Sequence, residues 1–487
     1  MSTVEENPRP IGLSRTASIP ELKELEARYR QEKFKGHFRR HPWLLSWYLI
    51  FTILSMMCTS GCVYGWTALN NAIGKTDLIR SASQLSAWSI TAFSINSLGS
   101  TTNGFINDIL GLRWAHAFSA FGAGVGYSLM TAAFYRGNLD GMFGAGLCIS
   151  SFFGAGTCIC LGPLSYLYGS PTFIFAIVAA LYSSSAFSYS IINAIVHNTE
   201  SLKVCFLIFT LFTYAMAIVG LTLPKDFIAL KRKWDSEAGL PVQVHEEDLS
   251  IKETLKIAGK ALLTLKWWWF AISVSCIQAA LSLYEDNFGG IGAYLLAKNG
   301  YNGQQLLNIN SNYNTIYGFA SGFVGFAVAP FAGLIADRVG ISLYEGICLI
   351  CYPWWAFFLL SEGLWSVMVT CWLQFLCSCI HFSGMYAYVG QNWDGRAYGI
   401  LIGILCVFLF VASELLECVP SYGYLGFQTA DKTGFPIINT ESLALQQKGY
   451  YYIRDFCLPL SFIPVCYGIY LVFEFFIKKR KTSTALE

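Results

Sequence analysis

The chain contains a series of apolar segments, each long enough to cross a lipid bilayer as a helix. The first is WLLSWYLIFTILSMMCTSGCVYGW, which begins at Trp43. A bilayer core about 30 Å thick requires about 20 apolar residues per helical span. Of the 487 residues, 54% are hydrophobic and 13% are charged, and so few charges are unusual for a soluble protein of this length. The sequence therefore predicts an all-α membrane protein.

The basic residues indicate how the predicted spans are oriented. Lys and Arg cluster in the N-terminal tail, in the middle of the chain and in the KKRK segment that begins at Lys478. Because basic residues remain on the cytoplasmic side of membranes, both termini are expected to be cytoplasmic and the number of spans to be even. Counting the apolar runs gives twelve transmembrane helices. They begin near Trp43, Ala82, Trp114, Asp140, Pro171, Leu202, Lys266, Asn312, Ile341, Leu364, Ala397 and Tyr451.

A polar segment divides these spans into two sets of six. It contains WDSEAGLPVQVHEEDLSIKE, whose charges and proline cannot cross hydrocarbon. The predicted order is a cytoplasmic tail, a six-helix bundle, a cytoplasmic linker, a second six-helix bundle and a basic cytoplasmic tail. These regions cover residues 1–42, 43–223, 224–262, 263–477 and 478–487. The first tail is too long and too acidic for a signal peptide, which predicts that the first span is retained.

A short motif occurs once in each half, after its second span. The first repeat motif is GFINDILGLR (Gly104–Arg113), and the second is GLIADRVG (Gly333–Gly340), which begins 229 residues later. A shared motif at one topological position of two halves indicates an internally duplicated transporter. The first glycine allows another helix to approach, the aspartate can lie at the positive end of a helix dipole, and the last glycine allows a tight turn.

The pattern G-x-x-x-D-x-x-G between the second and third spans resembles the signature of the major facilitator superfamily. The resemblance implies two six-helix bundles around a cavity that opens alternately to each side of the membrane. It also implies that the two repeat motifs close the cytoplasmic side. The gating residues expected on this basis are Gly104, Asp108, Arg113, Gly333, Asp337 and Arg338. The motifs depart from the family pattern at Ile109, Leu110 and Ser342, where basic residues are common.

Three further patches resemble a narrower group of proteins. They are GCVYGW from Gly61, LYGSPTFIFAIVAALYSSSAFSYSII from Leu167 and NWDGRAYGILIGI from Asn392. The patches are similar to the large-neutral-amino-acid facilitators of the solute carriers and to the apicomplexan amino acid transporters. This resemblance implies facilitated diffusion or exchange of amino acids across the plasma membrane by a multi-pass protein.

Two of these patches contain candidate substrate-binding residues. In span one, Gly61, Tyr64 and Trp66 would open the helix backbone and supply aromatic walls to a cavity. In span five, Ser183 and Ser184 would supply hydroxyl groups for the substrate's amino or carboxylate group. In both spans the alternative is close helix packing by small residues.

Ionisable residues within spans are the other candidates, because leaving a charge in lipid costs about 2.5 to 3.5 kcal/mol. Glu285 and Asp286 lie in the outer half of span seven. Either one of them faces the cavity and attracts the substrate's amino group, or both are solvated at the outer mouth. Glu414 and Glu417 of span eleven are expected at the membrane interface rather than in the substrate site.

His381 in span ten raises the question of proton coupling. A single histidine on an apolar helix is more often hydrogen-bonded to a neighbour than used as a proton relay. The first six spans also show no carboxylate of the kind that many proton symporters bury. The sequence therefore favours facilitation or exchange.

The remaining motifs predict neither an enzyme nor a cofactor. Most of the 16 cysteines lie within spans, without the spacing of a zinc site, and there is no nucleotide-binding glycine loop or protease motif. The RTAS segment (Arg15–Ser18) has the form of a basophilic kinase site. The expected partners are an amino acid and the lipid bilayer, with no nucleic acid and no metal, and one chain is expected to function as a monomer.

Two other classes of function remain open. The same fold carries other small organic solutes, such as sugars, nucleosides, organic anions or drugs, because a fold does not determine its cargo. A receptor or scaffold that has kept a transporter fold without transport is also possible, and it would require a blocked cavity.

Overall fold

The computed structural model describes residues 39–59, 65–79, 82–168, 171–225, 227–237, 251–393, 397–417 and 440–484. These residues are almost entirely helical. The helices of the N-terminal half are α1 (Pro42–Thr59), α2 (Trp66–Gly74), α3 (Ala82–Leu110), α4 (Leu112–Arg136), α5 (Gly141–Leu161), α6 (Pro171–Ser184), α7 (Ala186–Ile195) and α8 (Thr199–Gly220). Helices α9 (Phe227–Glu237) and α10 (Ile251–Leu262) lie within the predicted linker. The C-terminal half contains α11 (Leu265–Lys298), α12 (Gly303–Val339), α13 (Ile341–Cys351), α14 (Trp354–Phe357), α15 (Leu364–Asn392), α16 (Tyr398–Glu417) and α17 (Thr440–Thr484).

The predicted starts of the spans agree with these helices. Ten of the twelve lie within three residues of an observed helix start. The two exceptions are α12 and α17, which begin earlier than Asn312 and Tyr451. Both begin with polar sequences, QQLLNINSN and ESLALQQKG, that contain good helix formers. The apolar runs therefore predicted the membrane-crossing part of each of these two helices and missed its polar N-terminal extension.

Within the described part of the chain, nine helical segments are long and apolar enough to span a membrane. The three remaining predicted spans correspond to α3, to α6 with α7, and to α16. Helix α3 is rich in Ser, Thr and Asn, α6 and α7 are separated at Ser185, and the apolar part of α16 is short. The twelve-helix fold is thus complete, with three spans that depart from simple hydropathy.

Two pairs of helices make the most extensive contacts between the halves. Helix α3 packs against α16, and α6 packs against α12. Three of these four helices are among the spans that depart from simple hydropathy. Small and polar residues let helix backbones approach closely in a membrane. The helices that are less apolar or shorter than a typical span are therefore the ones through which the two halves meet.

The two repeat motifs end in the same backbone turn. Gly111 has φ of 83° and Gly340 has φ of 93°, a region that L side chains rarely adopt. In each copy the glycine N–H donates to the carbonyl four residues earlier, on Asn107 or Ala336. Because the positions are 229 residues apart in both pairs, the duplication in the sequence is also a duplication of structure. Most of each motif belongs to the preceding helix, and only the last glycine forms the turn, so the expected loop is shorter than the motif.

Candidate functional site

The first repeat motif brings α3 into backbone contact with the start of α16. A Cβ added to Gly104 would lie 2.3 Å from the Gly399 carbonyl oxygen, and a Cβ on Gly399 would lie 2.7 Å from the Gly104 oxygen. One turn earlier, Thr101 Oγ1 donates to the carbonyl of Gly403 at 2.6 Å. Glycine is therefore required on both helices for this close approach.

The aspartate of the first repeat motif contacts the N-terminus of a helix in the other half. Asp108 Oδ2 accepts a hydrogen bond of 2.8 Å from the N–H of Ile400, the third residue of α16. The first N–H groups of a helix have no partner within the helix, and the helix dipole is positive there. A carboxylate at this place stabilises the contact between the halves through both effects.

The second repeat motif makes the reciprocal contact. Asp337 Oδ2 accepts a hydrogen bond of 3.2 Å from the N–H of Phe173, the third residue of α6. Farther along the two helices, the buried side chains of Ala176 and Ala329 pack against each other. Each half therefore places one carboxylate on a helix N-terminus of the other half, and Gly333 lies buried one turn before its aspartate.

The two arginines of the motifs differ in environment. Arg113 is half-buried, and its Nε donates to the carbonyl oxygen of Leu223 at 2.7 Å, which ties the start of α4 to the segment that follows α8. The N–H of Leu112 donates to the Lys225 carbonyl beside it. Arg338 is exposed. The two arginines are not at equivalent positions of the repeat, since Ser342 stands 229 residues after Arg113 and Ile109 stands 229 residues before Arg338.

Three carbonyl groups in the last described turn of α1 accept hydrogen bonds from hydroxyl groups of neighbouring helices. Ser188 donates to the Met57 carbonyl at 2.9 Å, Thr213 to the Cys58 carbonyl at 3.0 Å, and Tyr127 to the Thr59 carbonyl at 3.3 Å. These three hydroxyls therefore tie the last described turn of α1 to helices α7, α8 and α4. Trp66 then begins α2 and is half-buried.

The helix that follows the break in span five lies beside the start of α2. A Cβ on Gly65 would lie 2.5 Å from the ring of Tyr189 on α7, so α7 touches the residue before α2 through a glycine. Ser185, at the break between α6 and α7, is fully buried. Discontinuous helices of this kind form substrate sites in transporters. The predicted residues Ser183 and Ser184 are the last two residues of α6, and the structure does not describe their side chains. The predicted residues Gly61 and Tyr64 lie outside the described residues.

Glu285 is half-buried on α11 and contacts α15. Gln374 Nε2 donates to Glu285 Oε1 at 3.2 Å, and the Gln374 side chain is fully buried. The Gln374 amide oxygen has no hydrogen-bond partner among the described atoms. A carboxylate and an unused acceptor therefore lie together between two helices of the C-terminal half. Asp286 belongs to α11, but its side chain is outside the description, as are those of Glu414 and Glu417.

The sequence interpretation missed the asparagines at the start of α12. Asn310 Nδ2 donates to the Gly289 carbonyl at 3.1 Å, and a Cβ on Gly292 would lie 2.6 Å from Asn310 Oδ1. Gly289 and Gly292 therefore let an amide side chain of α12 approach α11 near Glu285. The signal was available as the run NINSNYN, but it was assigned to the start of a span rather than to a polar helix surface.

A second missed residue is Glu345. The carboxylate is fully buried, and its Oε1 lies 2.8 Å from Nδ1 of His381, which is fully buried as well. His381 thus lies beside an ionisable neighbour, although neither of its ring nitrogens makes a hydrogen bond among the described residues. Glu345 stands alone in the sequence SLYEGICLI, one turn into span nine, and no local pattern marks it.

Across the described residues, no group of three or more His, Cys, Asp or Glu side chains is arranged to hold a metal ion. Cys158 and Cys160 lie buried in α5. Their thiols lie among packed side chains of the N-terminal half, where they fill apolar space.

Comparison with solved structures finds the same arrangement of helices. The chain is similar to FucP, a major facilitator superfamily transporter solved in the outward conformation, with 12% identity over 84% of this chain and 97% of that chain and a TM-score of 0.54. FucP is also described as the E. coli fucose:proton symporter. The human organic anion transporter MFSD10 is 13% identical over 85% of this chain and 98% of that chain, with a TM-score of 0.52. A double tryptophan mutant of XylE is 11% identical over 88% of this chain and 95% of that chain, with a TM-score of 0.55.

No protein-family model matches the chain, and no curated protein matches it significantly. The likeness is therefore one of structure, and it extends over nearly the full length of each compared protein. The chain has the fold of the major facilitator superfamily transporters.

Proposed function

We propose that this chain is a secondary transporter that moves amino acids across the plasma membrane by alternating access. The observation that carries the proposal is the pair of reciprocal contacts from Asp108 to Ile400 and from Asp337 to Phe173. Each of these carboxylate contacts is one hydrogen bond to a helix end, which can break without unfolding either half. Contacts of this kind suit two bundles that separate and rejoin during a transport cycle.

In the proposed cycle the solute enters from outside, between the two halves. It contacts the start of α2 and the break between α6 and α7, where hydroxyl and aromatic groups meet, and Glu285 attracts its amino group. The repeat motifs keep the predicted cytoplasmic side closed during this step. The halves then rock, the two carboxylate contacts open, and the solute leaves on the cytoplasmic side. One chain contains both halves, so a monomer suffices.

The choice of amino acids is supported by where the three sequence patches lie. GCVYGW leads into α2, the patch from Leu167 covers the break between α6 and α7, and NWDGRAYGILIGI contains the start of α16 that Asp108 contacts. The patches that resemble amino acid facilitators therefore coincide with the start of α2, with the break between α6 and α7 and with one contact between the halves.

A second candidate is a transporter of a different small organic solute. FucP is described as a fucose:proton symporter and MFSD10 as an organic anion transporter, and both share the fold. A sugar would be held by hydroxyl and amide groups such as Gln374 and Asn310 rather than by a carboxylate. An organic anion would be repelled by Glu285.

The test is uptake of a panel of radiolabelled amino acids, fucose and an organic anion into oocytes that express the chain. Surface expression is measured in parallel, and counterflow is measured in proteoliposomes. Saturable uptake or counterflow of a subset of amino acids supports the proposal. Uptake of fucose or the anion alone moves the assignment to the second candidate. Absence of all uptake and counterflow at good surface expression contradicts transport of this panel.

Glu285→Gln and Asp286→Asn, tested separately, examine the predicted carboxylate role. We expect at least one variant to raise the KM for amino acid uptake about tenfold, since one charge-assisted hydrogen bond contributes roughly 1.5 to 3 kcal/mol. Glu362→Gln is the matched control, because Glu362 pairs with Lys298 outside the predicted cavity. Unchanged uptake and selectivity in both variants would remove these residues from the substrate site.

A further inference from the structure

The linker helix α10 (Ile251–Leu262) lies directly before a membrane span. Leu263 and Thr264 separate its last residue from Leu265, where the apolar span of α11 begins. The helical chain breaks at these two residues, and α10 packs against α16 as well as against α11. The helix therefore lies against the C-terminal half at the level of the membrane surface, on the predicted cytoplasmic side.

Two side chains fix α10 to the start of α11. Trp268 Nε1 donates to the carbonyl oxygen of Leu262 at 2.8 Å. Thr264 Oγ1 donates to the Ala261 carbonyl at 2.7 Å and, as the N-cap of α11, accepts from the N–H of Trp267 at 3.3 Å. The last carbonyl groups of a helix have no partner within it. Here they hold α10 in a fixed position on the span.

One face of α10 packs on protein. Thr254, Ala258 and Ala261 are spaced as one helical face, and all three are buried. The two alanines belong to the hydrophobic core of the C-terminal half, and their small side chains let α10 approach it closely. The other faces of the helix are left for lipid or water.

The opposite face carries a stripe of three lysines. Lys252, Lys256 and Lys260 recur at every fourth residue, and all three side chains are exposed. No ion pair joins them to a carboxylate within the part of the chain that the structure describes. Lys266, at the start of α11, differs because it pairs with Glu474 at 3.3 Å. The charge of the stripe is therefore available to an anionic ligand.

An apolar edge runs beside the lysine stripe. At about 100° per residue, Leu255 lies between the buried face and the stripe, and Leu263 continues the stripe beyond the last turn. Leu255 is 48% exposed, Leu263 88% and Leu265 77%. Trp268, also exposed, extends this edge onto the wall of the span. Glu253, the one acidic residue of α10, lies on the other side of the stripe. Apolar side chains so exposed beside a span indicate contact with lipid.

We propose that α10 is an interfacial helix that binds anionic phospholipids of the cytoplasmic leaflet. The ammonium groups of Lys252, Lys256 and Lys260 contact the headgroup phosphates, and Leu255 and Leu263 insert just below them. Lysine suits this position because its aliphatic stem stays on apolar surface while its charge reaches the headgroups. Basic residues beside apolar ones on a helix at the membrane surface attract anionic lipid.

The occupant is a lipid surface rather than an acidic soluble protein because of where the apolar edge leads. It is continuous with the exposed wall of α11 through Leu265 and Trp268, and a soluble partner would have to reach it through the headgroups. Since α10 packs on α11 and α16, bound lipid holds these two helices at the leaflet. The inference is independent of which solute the protein carries.

The test is hydrogen–deuterium exchange of the purified full-length protein in lipid nanodiscs. One set contains phosphatidylcholine alone, and in the other phosphatidylserine replaces about a third of it. Each lysine near an anionic surface strengthens binding roughly fivefold. We expect the amides of α10 to exchange at least about tenfold more slowly with phosphatidylserine. Helix α2, which has no basic residue, is the internal control and should change less than about twofold.

Two triple variants separate charge from structure. Lys252→Gln with Lys256→Gln and Lys260→Gln should remove the difference between the two lipid compositions. The same three positions changed to arginine keep the positive charge and should retain the difference. A further sample adds a polyglutamate peptide to the wild type in phosphatidylcholine nanodiscs.

Equal exchange of wild-type α10 in the two lipid compositions would overturn the inference, whatever the stability of the variants. Slower exchange with phosphatidylserine that survives the glutamine variant would also overturn it, because the lysines would then not be the lipid contacts. Slowing by polyglutamate that exceeds the slowing by phosphatidylserine would identify an acidic protein as the occupant instead of lipid.

Discussion

The two repeat motifs occupy the same place in their halves but hold the other half to different degrees. In the first, Gly104 and Gly399 bring two backbones together, and half-buried Asp108 accepts a hydrogen bond of 2.8 Å. In the second, Asp337 is exposed and its hydrogen bond is 3.2 Å. Surrounding water weakens an exposed charge contact. Duplication therefore preserved the geometry of the contact, while burial determines how strongly each copy holds.

The largest effect should come from Gly104→Ala. The added Cβ would lie 2.3 Å from a backbone carbonyl on α16, which cannot move as a flexible side chain can. We expect the maximal uptake rate to fall at least tenfold, since α3 and α16 can no longer close together. Uptake is measured at matched surface expression.

Gly318→Ala is the matched control for that variant. Gly318 is also a helical glycine, but a Cβ there meets nothing within 4 Å. Equal losses in the two variants would show that the α3–α16 contact has no special role.

The next effect is expected for Asp108→Ala. The change removes a charge-assisted hydrogen bond to a helix N-terminus, which contributes roughly 1.5 to 3 kcal/mol. We expect turnover to fall about tenfold or more, with a smaller change in KM. Initial rates over a range of solute concentrations separate the two quantities. A normal turnover number would remove Asp108 from the proposed gating role.

Asp337→Ala should have a smaller effect than Asp108→Ala. An exposed charge near a helix end contributes about 0.3 to 1 kcal/mol, so a loss of turnover of roughly two- to fivefold is expected. The comparison uses the same assay and membrane preparation. Equal or larger loss than for Asp108→Ala would show that burial does not rank the two contacts, and a normal maximal rate would contradict a gating role for Asp337.

The smallest difference is expected between the arginines. Arg113→Gln breaks the hydrogen bond to the Leu223 carbonyl and should lower stability by about 1 kcal/mol. Arg338→Gln changes an exposed side chain and should stay within about 0.5 kcal/mol of the wild type. Thermal unfolding of the purified proteins in one detergent gives the comparison. The reverse ranking would show that the second motif, not the first, anchors its helix.

Hydropathy and motif spacing predicted much of the fold because they depend on the local sequence of each helix and not on how helices pack together. The twelve apolar runs predicted helix starts, and the 229-residue offset predicted two equivalent turns, which Gly111 and Gly340 form. The same reasoning also predicted an aspartate at a helix N-terminus. It could not identify the helix, because Asp108 and Ile400 are 292 positions apart and their contact depends on how the halves pack.

The candidate site was less predictable because its groups pair across helices. Glu285 drew notice as a charge in a span, but its contact with Gln374 depends on the packing of α11 against α15. Glu345 and His381 each stand alone in an apolar stretch, and only packing makes them a pair. The hydroxyls that bond to the end of α1 come from three separate helices, and single Ser, Thr and Tyr residues carry no local signal.

The helices that join the halves also have a consequence for biogenesis. Among the described residues, neither α3 nor the pair α6–α7 provides a segment that is both long and apolar enough to span a membrane by itself. The turn at Gly111 keeps α3 directly beside α4, which is long and apolar enough to span by itself. Insertion of α3 should therefore depend on α4 arriving at the translocon with it, and truncation of the nascent chain before Leu112 should leave α3 outside the membrane.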